Sequence, residues 1–80
     1  MTVTVLLFAS YADALGSASL DVQLPARATV SDLLGAIAQL PGAGKLPPRP
    51  LVAVNHRYAA PGLLLEAGDE IAIIPPVAGG

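Results

Sequence analysis

The chain closes on Pro75-Pro76-Val77-Ala78-Gly79-Gly80. The one reactive group at the end of that run is the α-carboxylate of Gly80. With a reference pKa of about 3.5 it is ionised at neutral pH, and an ionised carboxylate is a poor electrophile. ATP can activate it as an acyl-adenylate, with AMP as leaving group. A sulfur donor then displaces AMP and leaves a terminal thiocarboxylate, a soft nucleophile. The flanking residues suit delivery. Pro75 and Pro76 fix φ and favour a stiff, extended exit. Gly79 and Gly80 carry no Cβ and allow close main-chain approach. The six residues after Ile74 span at most about 20 Å when extended, so Pro75, Pro76, Val77, Ala78 and Gly79 could thread Gly80 into a narrow channel of another protein. The plainer alternative is a frayed end. At ordinary glycine usage of about 7%, chance ends roughly one chain in 200 on Gly-Gly, so the pair alone discriminates weakly.

Other candidate chemistry is thin. Gly42-Ala43-Gly44-Lys45 invites a phosphate-loop reading, but that loop needs Gly-x-x-x-x-Gly-Lys followed by Ser or Thr. Gln39 and Leu46 stand at the deciding positions, and the segment runs from a helix into prolines. It is read as a plain loop. His56 is the sole histidine, without the company a metal site needs, and belongs in a tight, exposed turn with Asn55. No serine lies in a Gly-x-Ser-x-Gly elbow. There is no cysteine, hence no thiol nucleophile and no disulfide framework. Glu66, Asp69 and Glu70 gather half of the six acidic residues. They form a solvated turn, a docking patch for a basic partner, or both.

Composition sets the bounds. Eighty residues make one domain, and a chain of this size buries only about 60% of its unfolded surface, leaving little room for an enclosed active site. Hydrophobic residues are 54% and charged residues 12% of the chain, and mean hydropathy is +0.66. Either apolar surface stays exposed for a partner, or abundant alanine inflates the value. A net charge of −2, scattered basic residues (Arg27, Lys45, Arg49, Arg57) and only Phe8, Tyr11 and Tyr58 as aromatics argue against nucleic acid. No apolar run approaches the roughly 18 residues of a membrane span. No Lys or Arg precedes the apolar stretch 3–12, whose alternation reads as a strand rather than a signal peptide. A cytoplasmic protein is expected.

The elements that must position the tail follow from periodicity. Residues 2–8 alternate as a half-buried strand, and 10–15 form a short helical stretch closed by Gly16. Residues 18–24 read as a second strand, with Leu20, Val22 and Leu24 on one face and Pro25 as its stop; the two strands suit antiparallel pairing. Thr29 and Asp32 form a capping box. Val30, Leu33, Leu34 and Ile37 then recur at i, i+3, i+4 and i+7 as one apolar stripe. Gly35 costs that helix about 1 kcal/mol relative to alanine, and Pro41-Gly42 ends it. Residues 41–50 are a Pro/Gly loop. Residues 51–54 form a strand that turns at Asn55-His56 and returns through 57–60. Pro61-Gly62 turns again, Gly68 supplies a positive φ, and 70–74 is the last strand. The prediction is α+β: a mixed sheet of four to five strands on one main helix, with the strands joined through that helix running parallel. Residues 1–74 form the domain and 75–80 its flexible tail.

Alternation also assigns faces. With Val3, Val5 and Leu7 toward the helix, Leu6 and Phe8 point outward. With Ile71 and Ile73 inward, Ala72 and Ile74 are outside. A face carrying Leu6, Phe8 and Ile74 is greasy, and must be covered by the chain itself or by a partner. Eighty residues leave little spare chain, which favours a partner.

Residues 6–16, 53–55 and 63–80, above all Gly-Asp-Glu, an apolar strand, Pro-Pro-Val and Gly-Gly in succession, resemble the ubiquitin-like sulfur carriers. The closest resemblance is to the MoaD family, the small subunits of molybdopterin synthase, over nearly the whole chain. It implies a β-grasp fold and a non-catalytic carrier whose synthase keeps its catalytic residues on the large subunit. Gly80 is then adenylated by a MoeB-like, E1-like enzyme that uses ATP, and no cofactor is held tightly. A sulfur donor protein converts it to the thiocarboxylate. Gly79 and Gly80 thread into a MoaE-like large subunit, where sulfur passes to cyclic pyranopterin monophosphate to build the dithiolene of molybdopterin, typically within a heterotetramer. Leu6, Phe8 and Ile74 correspond to the family's apolar docking surface, though Ile73-Ile74 stand where some members carry a Phe pair. Thiamine-pathway carriers share the fold and the Gly-Gly end but usually lack the Pro-Pro. Sulfur delivery to thiamine or cysteine, and a ubiquitin-like modifier or binding module, are the alternatives.

Overall fold

A computed structural model describes residues 1–8, 10–45 and 50–74. Strand β1 (Thr2–Leu7) alternates as expected: Val3, Val5 and Leu7 are buried while Thr2 and Thr4 face water. It ends at Leu7 rather than at residue 8, because the Tyr11 amide donates to the Phe8 carbonyl (3.1 Å) and bends the chain into helix α1 (Ser10–Leu15). Strand β2 (Ser19–Gln23) is likewise shorter than 18–24. Beyond it Leu24 still pairs with Met1: its amide donates to the Met1 carbonyl (2.8 Å), and the N-terminal ammonium donates to the Leu24 carbonyl (2.6 Å). Pro25 then has no N–H to continue the ladder.

Helix α2 (Val30–Ile37) forms behind the capping box read from the sequence. The Asp32 amide donates to Thr29 Oγ1 (3.2 Å), and the Thr29 amide donates to Asp32 Oδ2 (2.8 Å). An α-helix opens with four amides lacking helical partners. Here the Val30 amide donates to the Leu63 carbonyl and the Ser31 amide to the Pro61 carbonyl, so the 61–63 segment closes the helix start against the body of the fold. The helix stops at Ile37, short of Pro41-Gly42. Its last turn tightens into 3₁₀ bonds, from the Gln39 amide to the Ala36 carbonyl and from the Leu40 amide to the Ile37 carbonyl. Within the expected 41–50 loop a 3₁₀ turn covers Ala43–Lys45. Gly42 is required there: its φ is +88°, and a Cβ would run into the Ala14 carbonyl oxygen of α1.

Strands β3 (Leu51–Val54) and β4 (Arg57–Tyr58) are joined by Asn55 and His56, both at positive φ (51° and 71°), as a two-residue hairpin turn requires. The return through 57–60 is short: Tyr58 ends the strand, and the Ala59 amide adds one bond to the Val52 carbonyl. Strand β5 (Glu70–Ile74) completes one mixed sheet ordered β2-β1-β5-β3-β4. β1 is antiparallel to β2 and parallel to β5, and β3 is antiparallel to β5 and β4. β2 and β3, linked through α2, therefore run in the same direction as predicted, with β1 and β5 lying between them.

One face of this sheet carries Val3, Val5, Leu7, Val52, Val54, Ile71 and Ile73. α2 lays Val30, Leu33 and Ile37 into the same core. Leu34, at the margin of the stripe, is half-buried. Each fully buried side chain of this size contributes about 1.5–3 kcal/mol relative to exposure.

Tyr11 joins that core from α1, and burial pushes its phenol above the ordinary 10.0. The folded state thus holds the proton more tightly than the unfolded chain. Its contribution is complete below about pH 10 and is lost as pH rises through the raised folded value. Denaturant midpoints measured from pH 8 to 11 should fall on the alkaline side, and Tyr11→Phe should flatten that fall. An unchanged slope in the variant would assign the alkaline loss to other groups.

Candidate functional site

The parallel pairing of β1 with β5 matches Leu6 with Ala72 and Leu7 with Ile73. It thereby carries Phe8, just past β1, to the sheet end where Ile74 closes β5. Phe8, Ala72 and Ile74 line one shallow groove together with Ala53, Tyr58, His56 and Glu70. Phe8 is 47% exposed and Tyr58 76% exposed, whereas Ala53, Ala72 and Ile74 are half-buried. Leu6 shares the outward face and is half-buried, but stands outside the groove lining. The chain therefore leaves this face uncovered among its described residues, although α2 covers the other.

The three acidic residues border two adjacent hollows. Glu70 borders the apolar groove, and its Oε1 lies 3.7 Å from His56 Nε2, with the imidazole 87% exposed. Glu66 and Asp69 border a neighbouring hollow with Asn55, Arg57, Leu63 and Leu64. Asp69 is engaged in the fold. Its Oδ2 accepts from the Glu66 amide (2.8 Å), closing the turn that needs Gly68 at φ +87°, and its Oδ1 accepts from Asn55 Nδ2 (3.0 Å). Asn55 Oδ1 in turn accepts from the Glu70 amide (3.0 Å). This chain of bonds pins the start of β5 to the β3–β4 hairpin, and so aims the strand that ends at Ile74. Pro75, Pro76, Val77, Ala78, Gly79 and Gly80 lie outside the described residues.

Tyr58 is the groove residue that sequence reasoning missed. Only pairing opposite Ala53 places it on the outward face; its local signal was an aromatic residue in a two-residue return arm. His56 is the exposed turn residue expected. Among the described residues no group of three or more His, Cys, Asp or Glu is placed to hold a metal ion, and no helix is long and apolar enough to cross a membrane.

A mixed five-stranded sheet on one main helix, its central strand ending beside an exposed apolar groove, defines a ubiquitin-like β-grasp protein. The chain belongs to the ThiS/MoaD family: residues 5–80 match the ThiS family. A relative from Drosophila yakuba, called molybdopterin synthase sulfur carrier subunit, is 34% identical over 83 residues, which cover 100% of this chain and 92% of that protein. SAMP1 from Haloferax volcanii superposes with a TM-score of 0.80 at 35% identity, covering 100% of both chains. A chain from the complex of subunits 1 and 2 of the molybdopterin-converting factor of Helicobacter pylori 26695 shares the fold, with a TM-score of 0.72 at 21% identity and 100% of both chains covered.

Proposed function

We propose that the protein is the sulfur carrier subunit of a molybdopterin synthase. Gly80 is adenylated at its terminal carboxylate by an E1-like enzyme at the expense of ATP, and a sulfur donor protein displaces AMP to give the thiocarboxylate. The large subunit then receives Pro75 to Gly80 in its active site, where sulfur passes to cyclic pyranopterin monophosphate. The observation that carries this reading is the groove of Phe8, Tyr58 and Ile74 at the end of β5, the strand that leads directly into the Pro-Pro/Gly-Gly run. A partner seated on Phe8 and Ile74 also stands where the tail begins, so docking and delivery share one surface. Leu6 extends the apolar face, while Glu66 and Glu70 supply acidic neighbours for a basic rim. The name of the Drosophila relative, a subunit of molybdopterin synthase, supports a further synthase subunit as partner.

Coexpression with an activating enzyme and a sulfur donor, followed by intact-mass measurement, tests the chemistry. The expected product differs from the chain by one sulfur in place of one oxygen. Reconstitution with the pterin precursor and a large subunit then separates this pathway from sulfur delivery to thiamine or cysteine. Thiocarboxylate formation without any molybdopterin would move the protein to those other pathways; an unchanged mass would remove the carrier role. A second reading, a protein modifier whose Gly80 is joined to lysine amines, is favoured by the likeness to SAMP1. It predicts Gly80–lysine isopeptides in cell extracts instead of a thiocarboxylate.

A further inference from the structure

Among the described residues β2 sits at one end of the sheet and pairs with β1 alone. In an antiparallel ladder alternate residues turn their N–H and C=O toward the partner strand. Met1 and Leu24 exchange both bonds, and the Leu7 amide donates to the Ala18 carbonyl. Leu20 and Val22, in phase with these, therefore bond to β1, and Ser19, Asp21 and Gln23 turn their main-chain groups away from the sheet. Ser19 is closed locally: Ser17 Oγ donates to its carbonyl (2.6 Å), and its amide points to the same Oγ at 3.4 Å. Pro25, the next position in that phase, has no N–H. The open edge thus narrows to Asp21 and Gln23.

We propose that this window pairs with the same window of a second copy of the chain, antiparallel, about a twofold axis at Val22. That register sets Asp21 of each copy opposite Gln23 of the other and satisfies all four open N–H and C=O pairs within the two β2 strands. It also suits the side chains. Asp21 and Gln23 are exposed on the outer face, and Asp21 Oδ1 already accepts from Thr4 Oγ1 (3.1 Å), leaving Oδ2 for the opposing amide. On the helix side Leu20 and Val22 are half-buried and line a groove with Ala36 and Leu40, so Val22 meets its symmetry mate on apolar ground. An axis at Asp21 instead opposes two carboxylates, which is destabilising, and calls on the closed Ser19. An axis at Gln23 calls on Pro25, which cannot donate. A two-residue seam is far smaller than the roughly 1,200 Å² of a stable interface, so the dimer is weak and forms only at high concentration. β5, the strand that leads to the tail, lies two places along the sheet from the seam.

Sedimentation of the full chain over a concentration series, to its solubility limit, should show a reversible monomer–dimer equilibrium. Gln23→Lys, which places an ammonium opposite Asp21 twice per dimer, should tighten it roughly three- to tenfold, and Gln23→Asp should weaken it by a similar factor. Both substitutions are at an exposed position and spare the bonds to β1. A strictly monomeric chain, or both variants shifting the equilibrium in one direction, overturns the proposal. In this cysteine-free chain, Val22→Cys should cross-link under mild oxidant, because the axis brings the two Cα atoms to about 4.5 Å. Cross-linking of Asp21→Cys in place of Val22→Cys overturns the register.

Discussion

A chain lacking Gly80 is expected to keep the denaturation midpoint of the full chain and to lose sulfur transfer completely. The two halves of this result have separate causes. Among the described residues every buried core side chain lies between Val3 and Ile73, and removing a terminal glycine takes away no side chain. The proposed chemistry, by contrast, has one reacting atom, the carboxylate carbon of Gly80. Shortening the chain leaves Gly79 as the new end, about 3.3–3.6 Å short of the reacting position, and a displacement of that size in a shaped site costs orders of magnitude in rate. A tag placed after Gly80 should have the same effect, since it turns the carboxylate into an amide. The measurement is molybdopterin formed in a reconstituted synthase, with intact mass reporting thiocarboxylate. Full activity of the shortened chain would end the carrier reading.

Phe8→Glu tests the docking half. The ring is 47% exposed in the free chain, so the charge lands at a surface position. Its cost to folding should stay within about 0.5 kcal/mol. If a large subunit buries the ring as an anchor, the same substitution leaves a carboxylate in an apolar contact. Loss of an anchor of this kind costs about 2–4 kcal/mol, roughly 30- to 1,000-fold in affinity. Calorimetric titration against a large subunit, alongside a denaturation curve of the variant alone, separates the two. Unchanged affinity would remove Phe8 from the interface. An unfolded variant would show that the ring supports the core after all.

Much of the fold was legible residue by residue. Alternation in 2–8 placed Val3, Val5 and Leu7 inside and Phe8 outside, and each stands so. Thr29 and Asp32 marked the start of α2, and residues 51–54 and 70–74 are strands to the residue. Errors gathered at the ends, where bonds from elsewhere decide: Tyr11 turning the chain after Leu7, and 3₁₀ tightening after Ile37. Among the acidic residues, no local pattern showed that Asp69 is committed to the turn and to Asn55 whereas Glu70 borders the groove.

By itself the sequence determined which segments are strands and helix, which side chains each turns inward, and the Pro-Pro/Gly-Gly run that suggests the chemistry. Those properties depend on spacings of two to four residues, over which side-chain direction and hydrogen bonding are local. The tertiary structure alone decided that β5 lies between β1 and β3, that Phe8 therefore stands beside Ile74, and that Tyr58 completes their groove. That order joins partners far apart in sequence, Leu7 with Ile73 across β1 and β5 and Leu51 with Ile74 across β3 and β5. Such contacts follow from how all the apolar faces share one core, and no single segment carries that information.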